Sequence, residues 1–367
     1  MRRRFVVEQR LIDSTRKRTS ILGWSIVIGL LVGSVPIILS GVNPFEAYRE
    51  MLASSTGSQR AIQQTLRATT PLILTGLAAA VAFRMRLYTI GAEGQLYIGA
   101  IAGTAMALVI GEGASPWFVM PLVVLAGAAG GAMWALIIAA PRAYFGTDEV
   151  VGTLMLNFIA LQIMNWLIFG SVSFWRDREN LGFPAGKIVP DSAQLYAFWG
   201  RADLGIFIAV AGAFTLWFLI RWTRRGYEWR VIGDSDRAAR YAGMNVRRQV
   251  IVVLALSGIF AGIAGALQVA SVTYALEPRA LQAGGVGFTG IVVAAVAGLN
   301  PRAIIVSAFV IAAIVMSGPS LSRVGVSPSA VTVLQGSLLL AVAGGQFFNN
   351  FRIRAARSID ATPIEAP

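Results

Sequence analysis

Ten apolar runs decide what this chain can become. They cover approximately residues 21–41, 69–83, 94–111, 117–140, 149–170, 203–221, 249–272, 287–299, 302–318 and 330–346, and most approach the ~20 residues that a helix needs to cross a bilayer core. A backbone in hydrocarbon must satisfy its own N–H and C=O groups, so runs of this kind fold as helices. Composition agrees, with 56% of residues hydrophobic and 13% charged, where soluble domains carry about 25% charged. The expected fold is all-α: a polytopic transmembrane helix bundle with about ten crossings.

Two runs, 69–83 and 287–299, are short, and the charges decide whether they count. With ten crossings and a cytoplasmic N-terminus, 22 Lys and Arg fall inside and 9 outside, a clear positive-inside bias. Without the two short runs the split becomes 16 to 15, which no orientation rule explains. The expected organisation is a basic cytoplasmic segment 1–20, a transmembrane region 21–346 and a cytoplasmic tail 347–367. The first run is too long for a signal-peptide core and no A-x-A-like site follows it, so it is expected to stay as a membrane helix.

Glycine interrupts both short runs. FRMRLYT leads into IGAEGQLYIGAIAG, with Gly91, Gly94, Gly99 and Gly103, while AGGVGFTGIVVAAVAG carries Gly284, Gly285, Gly287, Gly290 and Gly298. Short, Gly-broken segments at matching places mark discontinuous helices at a transport site. The two are therefore expected to face each other across a path. Gly127, Gly130 and Gly131, like Gly258, Gly262 and Gly265, are expected to let helix backbones approach closely.

Few residues offer chemistry. The chain has neither cysteine nor histidine, which removes thiol sites and the commonest proton shuttle. It has no GxxxxGK[ST] loop and so cannot hold ATP in the Walker manner. The net charge of +13 does not point to nucleic acid, because the basic residues are not gathered on a soluble face. Glu93 is the one acid in an apolar, Gly-rich setting; it either lines a path or is held at a helix N-terminus by backbone N–H groups. Asn157 and Asn165, on one face of the fifth run, either join helices or line a wet passage. With Gln95, Phe288 and Thr289, Glu93 and Asn157 make the candidate translocation path. Its hydroxyl, amides and aromatic face suit an uncharged, hydrogen-bonding, ring-bearing cargo. In the long outer loop, residues 171–201, Phe174, Trp175, Tyr196, Phe198 and Trp199 form either an interfacial aromatic belt or a docking surface for an external protein.

A polar, Arg-rich island, GYEWRVIGDSDRAARYAGMNVRR, separates two of the apolar runs within the loop 222–248. Asp234 is expected to N-cap a short helix with Ser235 and Asp236 in its first turn. Asp236 and Arg240 stand four apart and can pair, Arg237 and Tyr241 lie on the same short helix, and Gly243 stops it. An isolated helix below ~12 residues is marginal in water, so this one must dock on something. The plain alternative is a basic loop that sets topology and touches anionic lipid.

Four blocks occur in order: PLILTGLAAAVAFRMRLYTIGAEGQLYIGA, EVVGTLMLNFIA, AARYAGMNV with LSGIFAGIAGAL, and GVGFTGIVVAAVAGLNP. Together they resemble the permease subunits of nucleoside and simple-sugar ABC importers, which are similar to type II ABC importer permeases. The resemblance implies a transport subunit, not an enzyme, in a bacterial cell membrane with both termini cytoplasmic. It implies four partners: a cytoplasmic ABC ATPase, a second permease chain of the same or a different kind, an extracellular substrate-binding lipoprotein and membrane lipid. ATP and Mg would sit on the ATPase, with no cofactor in this chain and no nucleic acid. The stretch Asp234 to Gly243 would fit a cleft in that ATPase. Where this chain has Thr89 the family commonly has Asn, and where it has Thr289 often Asp, so cargo contacts at those places are expected to differ. The cargo implied is a nucleoside, with a simple sugar or a branched-chain amino acid as alternatives. An ion-driven secondary transporter is the remaining alternative, and it would need more intramembrane titratable groups than Glu93.

Overall fold

The computed structural model describes residues 4–9, 15–111, 113–179 and 182–356. Parts of the two terminal segments expected to be cytoplasmic, 1–3, 10–14 and 357–367, lie outside the described residues. The chain divides into two units, Met1–Ala47 with Leu321–Pro367, and Tyr48–Ser320. Among the described residues the helices run, in chain order, α1 (Thr15–Leu39), α2 (Pro44–Thr56), α3 (Gln59–Arg84), α4 (Ala92–Ile110), α5 (Pro116–Phe145), α6 (Glu149–Asn165), α7 (Gly205–Trp222), α8 (Arg224–Asp234), α9 (Asp236–Tyr241), α10 (Val246–Gln268), α11 (Pro278–Ala283), α12 (Val286–Val296), α13 (Pro301–Met316), α14 (Gly318–Arg323) and α15 (Pro328–Asn350). One wider helical turn extends α6 to Gly170, and another extends α10 to Thr273.

Every one of the ten apolar runs falls on a helix. Eight stretches among the described residues are long and apolar enough to cross a membrane, and a ninth follows if Gly23–Leu39 and Pro44–Thr56 are counted as one span. The tenth run lies on α15. In the smaller unit α1 packs along α15, and the strand Arg4–Gln9 pairs antiparallel with Phe351–Ala356.

The run 69–83 is not short in the folded chain. Helix α3 starts at Gln59, capped by Ser58, whose hydroxyl accepts from Ala61 N at 3.1 Å. Gln63, Thr65, Thr69 and Thr70 lower the hydropathy of its first turns, yet all four are buried. Polar side chains buried among protein neighbours escape the cost they would meet in lipid.

Helix α10 is the centre of the larger unit and packs against α5, α4 and α3. The contact with α5 is backbone to backbone, because a Cβ on Gly131 would collide with Gly258 O and one on Gly262 with Gly127 O. These are the small-residue stripes expected from sequence, and dispersion between closely approaching backbones is what they supply.

In the outer loop Trp175 turns inward, its Nε1 donating to Ile101 O at 3.1 Å. Phe174, Tyr196, Phe198 and Trp199 stay exposed. The loop ends at Asp203, buried where its carboxylate accepts from Gly205 N at 2.9 Å and faces Arg67 at 3.8 Å. Burial pushes the Asp203 carboxyl above its ordinary range, with the Gly205 hydrogen bond and the Arg67 charge opposing.

Candidate transport site

Between α3 and α4 the chain is unwound, and its backbone groups need partners from elsewhere. Helix α6 supplies them from a single face. Glu149, Thr153 and Asn157 stand at successive i, i+4 positions: Glu149 Oε1 accepts from Tyr88 N at 3.2 Å, Thr153 Oγ1 from Ile90 N at 3.2 Å, and Asn157 Oδ1 from Gly94 N at 2.8 Å. Asn157 Nδ2 returns a bond to Ile90 O at 2.9 Å. Thr89 is buried, its Oγ1 accepting from Gly91 N at 3.1 Å. At the ladder's lower end Glu149 pairs with Arg142 at 2.9 Å. The motif EVVGTLMLNFIA thus has a physical reading: three side chains on one helix face replace the hydrogen bonds that the unwound stretch and the first turn of α4 lack.

The second break lies within the span Pro278–Val296, where Gly284 and Gly285 separate α11 from α12 and Gly285 takes φ +48°. No side chain of that turn caps α12. Glu93, in the first turn of α4, does so instead: its Oε2 accepts from Gly287 N at 2.6 Å and from Phe288 N at 3.2 Å, while Oε1 accepts from Tyr97 Oη at 2.7 Å. The carboxylate joins the positive ends of two helices, a favourable place for a negative charge. Gly287 is required there, since a Cβ would collide with the Glu93 backbone. Thr75 Oγ1 holds the preceding turn through Val286 O at 3.1 Å.

The two Gly-broken segments therefore do face each other, but in direct contact and not across an open passage. Glu93, Gln95 and Asn157 are all buried around this junction, with Oε1 of Gln95 and Nε1 of Trp134 unpartnered there among the described residues. Phe288 is 43% exposed and Thr289 half-buried, one residue beyond the clamp. Asn165 does not join the group; its Nδ2 donates to Gln162 Oε1 at 3.2 Å farther along α6. Glu149, Thr153, Tyr97 and Thr75 belong to the junction and were not singled out from sequence. The i, i+4, i+8 spacing of Glu149, Thr153 and Asn157 was the available sign.

The polar island folds as two helices. Its first half is α8, which sequence reading left without structure. Trp229, 1% exposed, anchors it, with Nε1 donating to Gln249 Oε1 of α10 at 2.9 Å. The short helix α9 is capped by Ser235 and not by Asp234: Ser235 Oγ accepts from Ala238 N at 3.2 Å, and Asp234 is the last residue of α8. Asp236 and Arg240 pair at 2.8 Å, and Gly243 closes the helix at φ +75°. Arg237, Arg240 and Tyr241 project outward, Tyr241 88% exposed. The short helix is thus ordered, capped and exposed along the face that carries these side chains. A cavity of about 470 Å³ lies between it and the unwound stretch, lined by Arg86, Leu87, Asp236 and Arg240.

Helices of membrane-crossing length, a discontinuous pair joined at their tips and an exposed short helix define a multi-pass membrane transport subunit. Residues 61–343 match the family described as branched-chain amino acid transport system / permease component, and the chain belongs to that family. It is similar to the guanosine ABC transporter permease protein NupP of Bacillus subtilis, 31% identical over 325 residues that cover 87% of this chain and 91% of that protein. It is equally similar to the glucose ABC transporter permease protein TsgB13 of Haloferax volcanii, 31% identical over 344 residues, 90% and 89% of the two chains. The nucleoside ABC transporter permease protein NupB of Lactococcus lactis is 28% identical over 348 residues, 92% and 94%.

Proposed function

We propose that this chain is the permease subunit of an ABC importer that passes nucleosides into the cell. The observation that carries the proposal is the Glu93 junction, where two discontinuous helices meet beside buried amides and an exposed aromatic ring. Among the described residues every group that bonds Glu93 is a hydroxyl or a backbone N–H, and the one cation at the edge of the junction, Arg142, is already paired with Glu149, which leaves no free cation for the carboxylate of an amino acid. With its one carboxylate already bonded, its hydrogen-bonding amides and hydroxyls suit a base and ribose better. Glu93, Gln95, Asn157, Phe288 and Thr289 line the path when the clamp opens, and the unpartnered Gln95 Oε1 gains its partner in that state.

The energy comes from a partner ATPase that binds ATP and Mg. It grips α9 through Asp236, Arg237, Arg240 and Tyr241, with Asp234 and Gly243 setting the ends of the docking stretch. A second permease chain completes the pore, an extracellular binding lipoprotein delivers cargo to the exposed aromatics of the outer loop, and both termini are cytoplasmic. Competition decides the cargo: in cells expressing the whole system, excess unlabelled guanosine or adenosine should abolish uptake of labelled adenosine, and leucine should not. The similarity to a glucose permease favours sugar as the second reading. Uptake of labelled glucose that nucleosides fail to inhibit would replace the first reading with it.

A further inference from the structure

A cavity of about 440 Å³ opens between the start of α8 and the start of α10, on the side of the island formed by Arg224, Arg225, Asn245, Arg248, Gln249 and Val252. A hydrogen-bonded chain fixes its wall. Trp229 donates to Gln249, Gln249 Nε2 donates to Glu228, and Glu228 pairs with Arg224 at 2.9 Å. That chain uses the one carboxylate in the lining. Arg225 and Arg248 are left without a carboxylate partner among the described residues. Two uncompensated guanidiniums in a polar cavity call for anionic oxygens, which they bind with charge-assisted hydrogen bonds.

The cavity continues into an apolar face. From Arg248, α10 presents Val252, Leu256, Ile259 and Ile263 at helical spacing, each half-buried, while the residues between them are largely packed inside. Trp222, 68% exposed, ends α7 two residues before Arg224, the position of an interfacial aromatic. A cationic cavity that runs into a half-open apolar stripe has the form of an amphiphile. A free phosphate would use only the first part, and an acidic protein segment would leave the second uncovered.

We infer that this cavity binds the phosphate-bearing headgroup of an anionic phospholipid of the cytoplasmic leaflet, with an acyl chain along Val252, Leu256 and Ile259. The site does not depend on the cargo. The lipid ties α8 to the membrane surface and so fixes the base from which α9 projects.

Native mass spectrometry of the purified full chain, titrated with phosphatidylglycerol or phosphatidylcholine, tests the inference. Wild type should retain phosphatidylglycerol about 30-fold better than R225A/R248A, the scale of two basic side chains at an anionic surface. Phosphatidylcholine retention should be weak and equal in both. R225K/R248K should keep most of the preference, which separates lost charge from lost folding, and R176A/R178A in the outer loop should leave it unchanged. Equal phosphatidylglycerol retention by wild type and R225A/R248A overturns the site. Glycerol phosphate competing as well as the whole lipid also overturns it in favour of a free-anion site. So does loss of the co-purifying ATPase from R225A/R248A while lipid retention stays intact, which would make the surface a protein contact.

Discussion

Glu93 joins α4 to α12 through two backbone N–H groups of α12, so removing its carboxylate takes the acceptor from a buried donor, Gly287 N, and a part-buried one, Phe288 N. Glu93→Ala should cost about 3 kcal/mol and lower both the thermal stability of the purified protein and its uptake. Glu93→Gln keeps one acceptor oxygen and should lose about half as much; equal melting temperatures for wild type and Glu93→Ala would contradict the clamp. Asp203 allows a test by pH. Burial raises its pKa, so the stability it contributes is complete below the ordinary carboxylate range and is lost as pH rises through the raised value. Wild type should therefore melt lower in alkaline than in mildly acidic buffer by more than Asp203→Asn does. At this scale the sequence was partly readable. An acid among glycines pointed to a helix N-terminus, but the helix that Glu93 caps most directly is 194 residues away in the chain, and no local pattern encodes that pairing.

At the scale of elements, α9 is exposed and its Asp236–Arg240 pair is open to solvent, 51% and 68%. Such a pair contributes about 0.5 kcal/mol to a helix. Asp236→Ala with Arg240→Ala should thus leave melting nearly unchanged while ATP hydrolysis continues without uptake; intact uptake would reduce α9 to a topology signal. Trp229→Ala should behave oppositely. It empties a buried site at a cost of about 3–5 kcal/mol, detaching α8 and lowering stability and transport together, as thermal unfolding would show. The capped helix, its ion pair and its glycine stop were visible in DRAARYAG because they are local. The choice between Asp234 and Ser235 as cap was not, because Asp-Ser-Asp offers three neighbouring candidates and α8, which ends at Asp234, decides among them. Helix α8 escaped notice because its hold on α10 rests on two side chains of a polar sequence, Glu228 and Trp229, which both bond Gln249.

For the whole molecule, the apolar runs carried the fold, since a helix in hydrocarbon has no other way to satisfy its backbone. The start of α3 was misjudged for the same reason that it is stable: its polar residues face protein, and hydropathy cannot distinguish a side chain that meets lipid from one that meets another helix. The groups that meet at the Glu93 junction come from α4, α6 and α12, and that gathering is a property of the fold. The most direct test is uptake of labelled guanosine, glucose and leucine into proteoliposomes containing this permease with its ATPase, second permease and binding protein, with and without ATP. The account predicts accumulation of guanosine that requires ATP, with glucose and leucine left outside. Uptake that is indifferent to ATP, or that selects leucine, would contradict it.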